Sequence, residues 1–399
     1  MELVHGDIFR QIAGHLGTRD LKCISITCRI FSDMVHHDDS TLWKDQFYRR
    51  WNSVNFKLDR SVPCIVSEMV RQEFNSDSAC FRFLTHLVHR VPMFADVNYT
   101  HVTAGLVPQH RFRVLEYATG HSDAPLTIAY DGNAAGADRC VRANAPFWTD
   151  LHVTVHRRRG GPGSDYYAVG ITRHGYFEVS IRPCPPSSTD QPRSNVFHAQ
   201  QGILPELNCV AIGVADQDFN VIRNQPGWRG MSFGYHSDDG HAFHRSSHGQ
   251  PYGPTFGCGD TVGCLLLDHS SIVYTLNGQA AGPPIPCRPT SPLFPVVGVD
   301  TSDAIEWNFG QNPFVFDVSP QWEAQDTNID VLWAACRTAT YLSDDSSDED
   351  ESWMHNAAMD GYNLTNDSDD SDPFIESMDE LDWSLDSAVD SDDSDGEEM

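Results

Sequence analysis

Ser232 stands in Gly230-Met231-Ser232-Phe233-Gly234, the spacing of a nucleophile elbow. Such an elbow exposes a reactive hydroxyl on a sharp turn between a strand and a helix. Here Tyr235-His236-Ser237-Asp238-Asp239-Gly240 follows, and that run reads as a turn. A catalytic serine is therefore not expected, and the protein is not expected to be an enzyme. His236, Asp238, His241, His244 and His248 crowd the same stretch. Imidazole and carboxylate are zinc ligands, but neither cysteine pairs nor helical spacing organise these five. The stretch reads as a solvated loop, and no metal or other cofactor is expected. Arg157-Arg158-Arg159 could act as a nuclear signal, a phosphate contact or a docking strip for acidic chain, with a solvated loop as the plain alternative. The only lysines are Lys22, Lys44 and Lys57. No lysine base, Schiff-base lysine or phosphate-loop lysine can therefore occur after residue 57.

The 399 residues hold 56 Asp+Glu against 27 Lys+Arg, for a formal net charge of −29. The charge is not spread evenly. Residues 343–399 carry 22 of the acids and none of the bases, which leaves 34 acids against 27 bases before them. A nearly balanced region precedes a strongly acidic tail. Direct nucleic-acid binding through a broad basic face is disfavoured. No stretch approaches the roughly 18–20 apolar residues of a membrane span. The first residues lack the basic and apolar regions of a signal peptide. The 11 Cys are scattered, with no Cys-x-x-Cys pair, so a disulfide framework is disfavoured and a reducing cytoplasmic or nuclear setting is expected. The sequon at Asn98-Tyr99-Thr100 then carries no meaning.

The elements that would position these residues change along the chain. Ile8, Ile12 and Leu16 are spaced as one helical face. Gly17-Thr18 breaks that helix, with Thr18 a candidate N-cap and Asp20 in the next first turn. Leu21, Ile24, Cys28, Phe31 and Val35 form a second stripe, and Leu42-Trp43 and Phe47 open a third helix. Helical spacing at Met69–Phe74 and Phe81–Val88 makes 51–111 a helical linker region. From Phe112 to about Val318 the pattern turns to short β-rich runs between Gly, Pro, Asn and Asp clusters. Tyr176–Ile181, Val210–Val214, Thr261–Leu267, Ile272–Thr275 and Phe294–Val299 are expected strands. Asn277-Gly278 signals a type I′ hairpin turn. No helical pattern intervenes, which predicts an antiparallel β-sandwich over 112–320. A short helical segment is expected over 321–342. Residues 343–399, with 11 Ser among the acids, have too little apolar surface to offset ordering entropy and read as disordered. Phe374, Met378, Leu381 and Leu385 could fold there as an amphipathic helix on a partner.

Two family resemblances follow. Leu3, Asp7-Ile8, Ile12, Leu16, Asp20-Leu21, Cys23, Cys28, Phe31 and Thr41-Leu42-Trp43-Lys44 together resemble an F-box over residues 1–50, with Val4 where the usual proline stands. The β segment resembles a SPRY domain of the Ran-binding-protein-M type. The matching runs include Val141-Arg142-Ala143-Asn144-Ala145-Pro146, Pro226-Gly227-Trp228, Ser232-Phe233-Gly234-Tyr235-His236 and Gly259-Asp260-Thr261-Val262-Gly263-Cys264. Gly249-Gln250-Pro251-Tyr252-Gly253-Pro254-Thr255-Phe256 and Asn308-Phe309-Gly310-Gln311-Asn312-Pro313-Phe314 continue the match. Trp148–Gly175 and Pro183–Leu207 stand out as insertions.

The first resemblance implies docking on a Skp-family adaptor, and through it on a cullin scaffold, by Leu3, Ile8, Leu16, Leu21 and Trp43. The second implies a protein substrate held on loops by Asn144, Pro146, Trp228, Asp300 and Thr301, with Trp228 either an exposed hot spot or a core residue. Together they imply a substrate-recognition subunit of a ubiquitin ligase. The alternative is a SPRY scaffold in a nuclear or chromatin-associated complex, its acidic tail contacting basic proteins. Ser346, Ser347, Ser377, Ser387 and Ser394 each have an acid three residues on, which suits an acidophilic kinase.

Overall fold

A computed structural model describes residues 9, 12–13, 15–27, 29–36, 41–92, 112–115, 127–130, 138–143, 145–161, 164–183, 209–301 and 303–320. The chain divides into two units, Met1–Asp344 and Asp345–Met399, and every described residue lies in the first. The helical segment expected over 321–342, the tail, its serines and its apolar islands lie outside the described residues.

The helices are α1 (Thr18–Thr27), α2 (Arg29–His36), α3 (Leu42–Val54), α4 (Glu68–Arg71) and α5 (Asp77–His86). The break at Gly17 is where the sequence puts it. The Asp20 carboxylate accepts a hydrogen bond from the Gly17 N–H at 3.1 Å, placing an anion at the positive end of α1. Ser76 caps α5 by accepting from the Ala79 N–H. α3 presents Leu42, Trp43, Gln46, Phe47 and Trp51 inward, a stripe at helical spacing.

The strands are β1 (Cys64–Val66), β2 (Phe112–Leu115), β3 (Thr127–Tyr130), β4 (Arg139–Arg142), β5 (His152–Arg159) and β6 (Asp165–Thr172). They continue with β7 (Gly175–Arg182), β8 (Cys209–Ala215), β9 (Ser232–His236), β10 (His241–His244), β11 (Gln250–Pro251) and β12 (Thr261–Leu267). The last are β13 (Ser271–Leu276), β14 (Gln279–Ala280), β15 (Ile285–Pro286), β16 (Phe294–Asp300) and β17 (Ala304–Asn308). One sheet runs β11-β10-β9-β8-β16-β4. A second runs β14-β13-β12-β7-β17-β3-β2, with β15 also on β13.

These two sheets enclose the main core by simple alternation. Phe177, Val179 and Ile181 of β7, and Ile305 and Trp307 of β17, face Val210, Ile212 and Val214 of β8 and Val297 and Val299 of β16 across it. Asn277 (φ 50°) and Gly278 (φ 83°) both take positive φ between β13 and β14, as a type I′ turn requires.

β8 is buried along its whole length, because the 216–231 segment lies flat on its outer face. A Cβ on Gly234 would collide with the Pro226 carbonyl, and one on Gly298 with the Gln225 side chain. The glycines therefore admit that segment.

The third sheet was not expected. β5 and β6 form a hairpin from the Trp148–Gly175 insertion, and β1 joins it in parallel, with Cys64 opposite Tyr167 and Val66 opposite Val169. The region expected to be a helical linker thus supplies a strand as well as α4 and α5. Val153, Val155, Tyr167 and Val169 of the hairpin share one core with Leu21, Val35, Trp43, Phe47, Trp51, Leu84 and Val88. The helices and the sandwich are joined through this sheet.

Candidate functional site

Several expectations for single residues change in the fold. Ser232 is fully buried at the start of β9, which is followed by a turn and β10. Its hydroxyl donates to the Arg229 carbonyl at 2.7 Å and accepts from the Gly227 N–H at 2.9 Å, so it braces the 225–230 loop. The histidine stretch is not a solvated loop, because β9 and β10 pair through it, with Ala242 opposite Tyr235. His236 is buried, and His244 Nδ1 bonds the Ser232 carbonyl. The arginine run is also not a loop. It ends β5, where Arg157 pairs with Asp165 at 2.9 Å and Arg158 with Asp317 at 3.4 Å.

The residues expected to bind a ligand separate into two groups. β4 pairs antiparallel with β16, with Arg142 opposite Val296 and Arg139 opposite Val299. Pro146, half-buried, therefore lies beyond the start of β16, where Phe147 N–H bonds the Leu293 carbonyl. Asp300 and Thr301 lie at the far end of the same strand, about 20 Å away at the usual strand rise. Asn144 lies outside the described residues.

Trp228 lies beside His236 of β9, whose β8 partner Ala211 stands opposite Gly298 of β16. Its ring is half-buried, with its centroid 5.9 Å from that of His236. Among the described residues the indole N–H meets no hydrogen-bond acceptor. Trp228 is thus neither a core residue nor a free hot spot: one side packs and the remainder is available. Gln225 Nε2 donates to Asp138 at 3.0 Å and pins the loop carrying it. A groove beside this loop is lined by Asp218, Asn220, Arg223, Asn224 and Arg229.

The Asp300 end of the sandwich brings together three groups that could hold a metal. Cys209 opens β8, His236 closes β9, and Asp238 follows in the turn; their donor atoms lie within 4.8 Å of one another. Burial pushes the Cys209 thiol well above its usual range, and the neighbouring Asp238 carboxylate adds to the rise. Burial lowers His236, which is therefore a neutral imidazole near pH 7. Cys209 has no signal in linear spacing, since 26 residues separate it from His236. Only the β8–β9 register joins them.

The residues expected to meet an adaptor also divide. Leu21 and Trp43 are core residues, the Trp43 indole N–H donating to the Val35 carbonyl at 2.9 Å, so neither presents surface. Their stripe faces the helical core, which the β5–β6 hairpin completes. Leu16 is half-buried, and Leu3 and Ile8 lie outside the described residues. Among the described residues before α3, the large apolar side chains that stay exposed are Ile26 (79% exposed), Ile30 (65%), Ile12 (55%) and Phe31 (38%).

Residues 198–312 match the SPRY domain family. The matched relatives include Ran-binding proteins. Ran-binding protein 9 of Homo sapiens is 43% identical over 122 residues, covering 30% of this chain and 16% of that protein. Ran-binding protein 10 of Danio rerio is 44% identical over 121 residues, covering 29% and 20%. The Ran-binding protein M homolog of Arabidopsis thaliana is 36% identical over 139 residues, covering 34% and 28%. The chain spans about a fifth of the length of the first of the curated relatives it matches. A crystal structure of a human SPRY domain shares 24% identity at a TM-score of 0.32, covering 50% of this chain and 98% of that one. The chain carries a SPRY domain similar in sequence to those of Ran-binding proteins 9, 10 and M. Among the described residues no helix is long and apolar enough to cross a membrane.

Proposed function

We propose that this protein is a substrate receptor of a cullin-based ubiquitin ligase. Its SPRY domain holds a target protein, and its helical unit docks on a Skp-family adaptor. The observation that carries the adaptor contact is the set of exposed apolar side chains on the helical unit. Ile26 and Ile30, four residues apart, stand out into solvent beside Phe31 although the core next to them is full. Exposed apolar side chains of this size on an otherwise packed unit favour a partner surface. The F-box resemblance gives that partner its class. The protein acts by proximity, raising the effective concentration of substrate lysines near the charged ubiquitin carrier. A cytoplasmic or nuclear location follows from this role. Target binding is assigned to Trp228, Asp300 and Thr301.

Co-purification of the full chain with a Skp-family adaptor tests this reading. The parent chain is expected to retain the adaptor, and the double variant I26D/I30D to lose it. Both positions are exposed, so the variant keeps its fold. Absence of adaptor binding by the parent chain sinks the ligase role.

A second reading is favoured by the charge segregation. With 22 acids and no Lys or Arg in residues 343–399, the tail suits contact with basic proteins in a nuclear scaffold. Retention of histones by the parent chain, lost on deleting 343–399, would support it in place of the adaptor.

A further inference from the structure

We propose that Cys209, His236 and Asp238 form a binding site for Zn2+ or a similar borderline divalent transition-metal ion. The proposal stands apart from the ligase reading and draws on separate observations.

The first is convergence. β8 and β9 pair antiparallel with Ala211 opposite His236, which brings the start of β8 beside the turn after β9. Ser237 then ties the two together twice. Its N–H donates to the Val210 carbonyl at 3.0 Å, and its hydroxyl accepts from the Val210 N–H at 2.8 Å. Cys209 and Asp238 flank this double bridge and are held side by side. The Asp238 carboxylate lies close enough to the Cys209 thiol to disfavour its ionisation. All three donor atoms lie within 4.8 Å of one another. Tetrahedral zinc, with bonds of about 2.0–2.3 Å, needs donor atoms about 3.3–3.8 Å apart. A movement on the order of 1 Å closes the set. The exposed Asp238 side chain is free to make it.

The second is the state of the imidazole. His236 Nε2 lies 2.9 Å from the Pro226 carbonyl oxygen. A carbonyl only accepts, so Nε2 carries the hydrogen and Nδ1 keeps its lone pair. A backbone carbonyl that orients a histidine in this way is the usual outer support of a metal-binding imidazole. Phe243 stacks on the same ring at 4.0 Å and restricts its rotation.

The third is the donor set. A thiolate, a neutral imidazole and a carboxylate favour zinc over magnesium or calcium. Two anionic donors also neutralise a dication, which lowers the cost of placing it beside a buried strand. Zn2+ takes the place of the thiol proton, which leaves to solvent. Because Asp238 faces solvent, water completes the fourth position.

The full chain, stripped with a chelator and titrated with Zn2+ against a chromophoric competitor, tests the site. The parent is expected to bind one equivalent of Zn2+ that C209S does not bind, and D238N is expected to bind it at least tenfold more weakly. Co2+ in place of Zn2+ is expected to give a thiolate-to-cobalt charge-transfer band with the parent and none with C209S. Asp238 is exposed, so D238N reads the site without disturbing the core. Equal Zn2+ affinity in the parent and D238N would overturn the proposal. So would a Co2+ titration of the parent without a charge-transfer band.

Discussion

Ser232 shows why a short motif needs its setting. The Gly-x-Ser-x-Gly spacing is met, but one lone pair and the proton of that hydroxyl serve the loop that carries Trp228. S232A is expected to leave the Gly227 N–H buried and unpaired, at a cost of about 1–2 kcal/mol in urea unfolding. A fluorophosphonate active-site probe should label neither the parent nor the variant. Glu178 is another buried polar residue with a clear task. It accepts from Tyr176 Oη at 3.0 Å, Asn308 Nδ2 at 3.1 Å and the Val315 N–H at 3.0 Å, and so ties the segment after β17 back onto β7. Burial raises its carboxyl, and these three donors oppose the rise.

At the scale of the element, the hairpin turn at Asn277-Gly278 was legible because type I′ geometry demands residues that tolerate positive φ. G278A places a Cβ in a left-handed conformation beside the Val315 carbonyl and should lower stability by about 1 kcal/mol, measured by thermal unfolding. The strands of the sandwich were legible for a similar reason. Each buries one face, and period-2 alternation records it. The β5–β6 hairpin was not, although its residues alternate too. Its arginines read as solvent-facing, and only their partners, Asp165 and Asp317, account for them. β1, three residues long, is too short for any periodicity to mark.

Across the whole molecule, the junction between helices and sandwich is rich in buried histidines. His89 stacks on Trp148 at 4.3 Å. His152 and His156 line β5, and both sit beside Trp51 and Tyr176 around one small cavity. Burial lowers His89 and His152 to about 4 and His156 to about 3. The unfolded chain takes up these protons near pH 6.5, whereas the folded chain does not until pH 3–4. Stability is therefore full above about pH 6.5 and is lost as pH falls toward 4, at up to about 1.4 kcal/mol per histidine per pH unit. Urea titrations at pH 7 and pH 5 should show a lower midpoint at pH 5. H152Q, which takes up no proton in either state, should reduce the difference.

The sequence by itself determined the sandwich, its turn, the helical character of the first fifty residues and the segregation of charge. All of these are set by local periodicity, local backbone preference or composition. Only the tertiary structure decided which apolar residues stay exposed. Leu21, Val35 and Trp43 close one core together with Val153 and Val155 of the third sheet, and Ile26 and Ile30 stay outside it. It also decided that Asp300 and Pro146 lie at opposite ends of the sandwich, and that Cys209 meets His236 and Asp238. Those encounters depend on strand register between distant segments, and register is fixed by which faces the whole core can bury.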